Sequence, residues 1–533
     1  MGTQHERGGD ITGFRCVPGI VELEARTGVV RLNRAALPRA AERIVFGRGL
    51  ATSVVPEAVA GLAEAGRRGV LVVVGESSSR APGIAALVDG MKSFGARVFV
   101  VRGHADHATI RAGIESVRRG RLGLVVAIGG GTVIDVAKSI AALAYQDQGS
   151  GGGASSVSGA TSREDLDLLT SPGLRPADGH DKSEALVDIA AYQLGRRRLS
   201  SERTLPWVAV PTTSGTGSES TDNAVIELGE EKRSLRGIPS PRFIAADPAL
   251  TDPLPLAPTI IAAVDAIAQA LEVLASPAAS EEVQQVALAA FVALARGMED
   301  LYAVASHAVR ETELDGTAPV TPDRHRTPAV SRAESPGSAS RVDPATRDTF
   351  SWGSLLMGMA FANGRLGLPH GLVHFCNRFG LSHGNMVGIL LVPGLRVQAR
   401  DTETSTRLAR AARALDQALQ HKASEDRDAP APEREGGSRA PRIAMPQSVR
   451  SGPEPLFRWL ASRIPALFEA IGLPRTLIEA GLAGPDLDWI VARELENHPT
   501  FGTPARPATP AELRDVLEGA CEEPGHRTLS RRV

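Results

Sequence analysis

Short apolar runs alternate with helical patterns through the first half of the chain, and this alternation limits the fold more than any other feature. GVLVVVG at 69–75 contains no polar side chain, as a strand buried on both faces requires. ARVFVV and LGLVVAIGGG repeat the pattern, with helix-patterned stretches such as IAALVDGMKSFG and residues 108–119 between them. Strand and helix in strict alternation predict an α/β domain built on a parallel, doubly wound sheet.

The texture changes along the chain. Residues 1–40 read as a leader that becomes a first strand, and 41–255 as the α/β domain. Within it, 146–203 reads as a flexible insertion, because GSGGGASSVSGATS is low-complexity and RPADGHDKSE is polar. TLPWVAVPTT then restores a strand. From Thr259 onward Ala- and Leu-rich helical patterns dominate, so 256–533 is expected to be an all-α domain. Two stretches inside it, 306–346 and 421–452, are rich in Pro, Ser and charge and are expected to be disordered.

Composition narrows the function. A net charge of −2 over 533 residues gives no basic surface for nucleic acid. No apolar run is read as long enough for a membrane span. Cys16, Cys376 and Cys521 are few, odd in number and far apart, which fits a reducing cytoplasm better than a disulfide framework. Cys376 reads as a small buried filler.

Four segments carry chemistry. In AIGGGTVIDVAKSIA, 127–141, a buried strand ends, three glycines turn the chain and a helix begins. Such a turn lets backbone N–H groups approach a phosphate at the positive end of a helix. Asp135 and Lys138 follow on the first turns. In VPTTSGTGSES, 210–220, hydroxyl and glycine residues crowd a loop after a strand and could face a phosphate or a nicotinamide amide; a plain Ser/Thr turn has the same composition. GESSSRAPG, 75–83, follows the second strand. An acid there binds a ribose 2′-hydroxyl and favours NAD; small polar and basic residues admit a 2′-phosphate. Gly75 ends the strand; Ser77, Ser78, Ser79 and Arg80 lean to NADP, and Glu76 argues the other way. In IAAVDAIAQALEVLAS, Asp265 lies in an apolar helix with Gln269 one turn later, and a buried carboxylate needs a cation, a metal or a helix partner.

Three of the 12 histidines then fall in LPHGLVHFCNRFGLSHGN: His370, His374 and His383. His370 and His374, four apart, would share a helix face. Imidazole is the commonest metal ligand and a proton carrier near neutral pH, so the stretch reads as a metal site with a proton relay.

The ordered set GGGTVIDVAKS, VPTTSGTGSES, DPALT, an Asp-bearing helix, HGLVH and a later HG resembles the iron-containing (group III) alcohol dehydrogenase family of the dehydroquinate synthase-like superfamily. The resemblance spans about 40–145, 203–303, 347–400 and 453–522. It implies an N-terminal NAD(P)-binding domain, a helical domain holding a divalent metal, iron or zinc, and a substrate cleft between them. By residue, it implies that Gly129, Gly130, Gly131 and Thr132 hold the pyrophosphate, with Asp135 and Lys138 shaping that pocket. Thr212, Thr213 and Ser214 line the nicotinamide side. Asp265, His370 and His383 bind metal, and His374 is the relay beside the nicotinamide.

Three departures bear on chemistry. Gln269 stands where the family has a fourth, histidine ligand, and a neutral amide is weak for iron or zinc, although three ligands and a water still make a catalytic site. Arg365 replaces a small residue, and NRFGLSH, with Asn377 and Arg378, is one residue short. Arginine beside a cleft suits an anionic substrate. The expected function is therefore NAD(P)H-dependent alcohol dehydrogenase or aldehyde reductase, acting on a small molecule, with an anionic aldehyde such as phosphonoacetaldehyde as one substrate class and a homodimer left open. The rivals are a metal-dependent lyase or cyclase of the dehydroquinate synthase type and a catalytically impaired cofactor-binding relative.

Overall fold

A computed structural model describes residues 16–66, 69–146, 187–229, 231–314, 342–428, 452–497 and 508–522. The segment expected as a leader holds a small antiparallel pair, β1 (Val21–Leu23) and β2 (Val30–Leu32). Gly28 turns between them at φ +68°, where a Cβ would lie 2.5 Å from the Phe46 carbonyl oxygen. Only glycine fits such a place without strain.

The central sheet follows. Its elements run β3 (Arg43–Phe46), α1 (Ala51–Gly66), β4 (Val70–Gly75), α2 (Pro82–Gly90), β5 (Arg97–Val101), α3 (His107–Gly120), β6 (Leu124–Gly129) and α4 (Gly131–Leu143). After α5 (Ile189–Gln193) come β7 (Trp207–Pro211), a hairpin of β8 (Asn223–Leu228) and β9 (Glu231–Arg236), and β10 (Phe243–Ala246). Six strands pair in the order β3-β10-β7-β6-β4-β5, every pair parallel. Val70, Leu71, Val72 and Val73 are fully buried. That burial on both faces is what the unbroken apolar runs require.

Parallel pairing places every strand's carboxyl end on one edge. Gly75 stands beside Val101, and Gly129 beside Pro211. The glycine turn, the Ser/Thr loop and the Gly75–Ser78 loop therefore leave the same edge, where open α/β sheets bind ligands.

The second half is helical: α6 (Leu256–Ala275), α7 (Glu281–Leu314), α8 (Pro344–Asn363), the single turn α9 (Leu368–Gly371), α10 (His383–Gln398), α11 (Thr402–Asp428), α12 (Glu454–Ala470), α13 (Gly484–Asn497) and α14 (Pro510–Cys521). Helix α6 corrects the expectation that no apolar run approaches a membrane span. It has the length and hydropathy to cross a membrane, yet 72% of its most apolar window is buried in this fold. It is the central helix of the domain, which explains its all-round apolar character.

The expected insertions are narrower than they read. Residues 187–193 are packed: Val187 and Ile189 are buried, and Asp188 caps α5 through the Ala191 N–H at 3.1 Å. The apolar cluster VDIAAY gives this piece a core-facing side. Helix α7 runs to Leu314, and Asp343 caps α8 through the Thr346 N–H at 3.0 Å. Helix α11 continues to Asp428, tied to α7 by a 2.7 Å Lys422–Asp300 ion pair. The rest of the three expected insertions, 147–186, 315–341 and 429–451, lies outside the described residues.

Candidate metal and cofactor site

Helix α6 carries Asp265, Gln269 and Glu272 at spacings of four and three, hence on one face. All three are buried, Glu272 completely. Opposite them, His370 lies in α9 and His383 opens α10, whose first turn Ser382 caps through the Asn385 N–H. One ligand atom from each of Asp265, His370 and His383 lies within 4.8 Å of the others. Asp265 Oδ1 is 3.2 Å from His370 Nε2 and 3.7 Å from His383 Nε2. These three sequence-predicted ligands are therefore brought together.

The donors suit a divalent cation. A carboxylate and two imidazoles are the set that iron and zinc accept with positions left open. Gln269 donates its amide N–H to Asp265 Oδ2 at 3.0 Å, while its own Oε1 is buried without a hydrogen-bond partner. A lone buried acceptor beside a carboxylate favours a positive charge. The carboxylates favour positive charge at this place. Burial alone disfavours charge on His370, but the Glu272 and Asp265 carboxylates outweigh it and raise the imidazole to about 10, so a metal bound at Nε2 would displace that proton. His383 is pushed down, chiefly by desolvation, with Asp265 opposing, and stays neutral.

Glu272 was missed in the sequence. Its Oε2 hydrogen-bonds His370 Nδ1, and its Oε1 accepts the N–H groups of Gly367 (3.0 Å) and His370 (3.1 Å). This fixes the ring with Nε2 toward Asp265. Its position one turn beyond Gln269 on the same face was the available signal.

His370 and His374 do not share a helix face. Helix α9 ends at Gly371 after one turn, and the chain bends so that His374 faces the hairpin. His374 Nδ1 donates to the Lys232 carbonyl at 3.0 Å, and Lys232 N–H donates to the His374 carbonyl at 3.2 Å. Burial lowers His374 to about 3. Arg365 is exposed in the linker before α9, and the charge it opposes is Arg236 on β9. Arg378 stacks over Trp489 at 4.2 Å, and Asn377 donates to Glu227 at 3.0 Å, so both serve packing between elements. Cys376 is fully buried.

At the sheet edge the glycine turn meets the Ser/Thr loop. A Cβ on Gly130 would lie 3.0 Å from Thr213, and one on Gly131 2.7 Å from Thr216. Gly129 is buried, its carbonyl accepting the Thr212 N–H at 3.0 Å, and Thr132 is exposed on the first turn of α4. No side chain caps α4. Bare glycines before an uncapped helix start form a cradle suited to a pyrophosphate. Ser214 bonds Ser351 of α8 at 2.9 Å, which joins the loop to the helical domain.

Asp135 and Lys138 act on this edge indirectly. The Lys138 ammonium is wholly buried, 2.8 Å from the Ser218 carbonyl, 3.2 Å from Thr221 Oγ1 and 3.1 Å from Asp135 Oδ1. Asp135 also accepts the Val225 N–H of β8 at 2.9 Å. A fully buried cation cannot touch a ligand in an open cleft, so the pair shapes the cofactor edge by pinning α4 to the loop. Beside Gly75, Ser77 is exposed and Ser78 donates to the Gly75 carbonyl at 3.2 Å.

Comparison with known proteins agrees with this geometry. The profile of "Iron-containing alcohol dehydrogenase" matches residues 41–169 and 180–253, and that of "Fe-containing alcohol dehydrogenase family, C-terminal" matches 336–433. A 4-hydroxybutyrate dehydrogenase from Cupriavidus necator is 26% identical over 81% of this chain and 86% of its own length. Long-chain-alcohol dehydrogenase 1 from Geobacillus thermodenitrificans is 24% identical over 66% and 71%. A sulfoacetaldehyde reductase structure from Bifidobacterium kashiwanohense superposes with a TM-score of 0.59 at 19% identity, covering 90% of this chain and 96% of that one. Matched over more than half its length by the family's two profiles, the chain belongs to the iron-containing alcohol dehydrogenases, oxidoreductases that act on alcohol and aldehyde groups.

Proposed function

We propose that this protein is an NAD(P)H-dependent alcohol dehydrogenase or aldehyde reductase whose substrate is a small anionic aldehyde, of which phosphonoacetaldehyde is one example. The observation that carries the reading is the meeting of Asp265, His370 and His383, with Asp265 on a helix whose Ala262 packs against Gly215 of the same Ser/Thr loop that closes on the glycine turn through Thr216. Iron or zinc held by these three residues, with Gln269 as a weak fourth neighbour, would polarise a carbonyl oxygen as a Lewis acid, and a nicotinamide would supply the hydride. Glu272 orients His370, and Lys138 with Asp135 holds the Ser/Thr loop in place. His374, kept neutral by burial and donating Nδ1–H to Lys232, orients a water rather than storing the proton that reaches the alkoxide.

Two finer points belong to this reading. The cofactor is NADPH: Glu76, the acid that would prefer a free ribose 2′-hydroxyl, pairs with Arg102 at 3.2 Å, and Ser77 and Arg80 are exposed beside it. The anionic substrate is supported by Arg365 and by the relative named for 4-hydroxybutyrate. Three free cysteines fit a cytoplasmic setting. The test is metal analysis of the purified protein, then NADPH and NADH consumption across neutral and anionic aldehydes. Confirmed cofactor binding without turnover of any aldehyde would sink the reading.

A further inference from the structure

A cavity of about 10 Å³ lies where the Ser/Thr loop, the end of β10 and helix α8 meet. That is room for one particle the size of a water molecule. Its wall is rich in oxygen: two carboxylates, Glu219 and Asp247, and five Ser and Thr hydroxyls. None of its lining residues is cationic. The two carboxylates are in different states. Asp247 accepts the N–H groups of Gly49, Ala51 and Ala249 at 2.8 to 2.9 Å, so its charge is already met. Glu219 is 4% exposed, and the hydrogen bond that its carboxylate accepts comes from its own backbone N–H.

The cation that acts on Glu219 is Lys138, and that ammonium is already bonded to Asp135 at 3.1 Å and to the Ser218 carbonyl at 2.8 Å. One ammonium thus serves two buried carboxylates. Burial pushes the Glu219 carboxyl up to about 7, against its own N–H and Lys138. A carboxylate so placed takes either a proton or a further cation. The hydroxyls around it are disposed as acceptors. Thr251 donates its proton to the Pro248 carbonyl at 2.8 Å, and Ser214 and Ser351 bond each other at 2.9 Å, which engages the proton of one of them. An oxygen whose proton is engaged keeps lone pairs for a cation.

We propose that this cavity is a monovalent-cation site, which takes an ion of potassium size between Glu219 and the hydroxyls of the Ser/Thr loop and α8. An all-oxygen wall suits a hard cation rather than iron or zinc. Calcium and magnesium draw on several carboxylates or on ordered water, whereas this cavity offers one carboxylate whose charge is unmet and has no room for a hydration shell. Potassium is close to water in size, and lithium is much smaller. The site shares no residue with Asp265, His370 and His383. Its wall joins Thr213 and Ser214 of the loop to Ser351 and Ser354 of the helical domain, so the ion braces the loop against α8.

The test uses the full chain dialysed into choline chloride. Potassium, sodium and lithium chlorides are compared at equal ionic strength, and the melting temperature is read for the wild type, Glu219→Gln and Ser354→Ala. Potassium is expected to raise the wild-type melting temperature by about 2 °C or more over choline, with lithium weakest. Glu219→Gln should lose that rise, and Ser354→Ala, which keeps the carboxylate, should need about tenfold more potassium to reach it. Thallium(I), a stand-in for potassium, should give a bound magnetic-resonance signal in the wild type that potassium displaces, a readout that needs no variant to fold. Equal melting temperatures in all the salts, or no thallium signal that potassium displaces, overturn the proposal and leave the cavity to a water and Glu219 to a proton. A potassium effect that both variants keep in full puts the ion elsewhere and overturns it too. None of these readouts uses turnover, so they stand whether or not an aldehyde is reduced.

Discussion

Glu272 grips His370 at both ends: one carboxylate oxygen bonds the ring Nδ1, and the other accepts the backbone N–H of the same residue at 3.1 Å. The ring can then neither flip nor change tautomer without breaking a buried charge-assisted hydrogen bond. Its Nε2 is held toward Asp265. Partners of this kind raise the basicity of a ligating histidine and fix its direction.

Glu272→Gln keeps the shape and the backbone contacts but removes the charge. Metal affinity should fall about 10–100-fold, read by competition with a chromophoric chelator. An unchanged affinity would mean that His370 needs no orienting carboxylate.

Gln269→His places an imidazole beside Asp265, where a buried amide oxygen now has no hydrogen-bond partner. A fourth strong ligand should slow the loss of iron or zinc to EDTA by an order of magnitude or so. Equal rates of loss in variant and wild type would show that position 269 does not face the ion.

Lys138 is wholly buried against Asp135. Lys138→Met should destabilise the protein by about 3–5 kcal/mol, because Asp135 is left as an uncompensated buried charge. The double variant with Asp135→Asn should recover much of that loss. Urea unfolding of both variants checks the pair, and equal stability of the two would refute a buried charge coupling.

Glu494 of α13 is buried, its Oε2 lacks a hydrogen-bond partner, and burial pushes its carboxyl up to about 8. The folded protein then holds this proton at pH values where the unfolded chain has released it. Stability from this group is therefore full below the unfolded value near 4.5 and declines as pH rises toward about 8. The slope is at most about 1.4 kcal/mol per pH unit. Glu494→Gln should flatten the fall between pH 5 and 8 by roughly that slope. Parallel stability–pH curves for variant and wild type would contradict it.

Much of the arrangement follows from local patterns. The runs VLVVV and LVVAI can only be strands with both faces covered, and GGG before a helix can only turn tightly, so the sheet and its ligand edge were legible. So were Asp265, His370 and His383 as a resembled ligand set, since their residue types announce their chemistry. The hairpin β8–β9 was not, because β9, EKRSLR, is charged and buries only Leu235, which leaves the short apolar run of β8 without a legible partner. Its place is decided by contacts across the fold: Gln193 braces it through the Ile226 and Arg233 carbonyls at 3.2 and 3.1 Å, and His374 docks on Lys232.

The same division separates His370 from His374. Their spacing of four admits one helix face, and the chain instead ends α9 after one turn and sends them to different partners. Sequence alone determined which residue types could bind a cofactor and an ion, because those properties belong to single side chains and short periods. Tertiary structure alone decided that Glu272 orients His370 and that Lys138 is buried beneath the Ser/Thr loop. Burial and tautomer arise only when distant segments exclude water together.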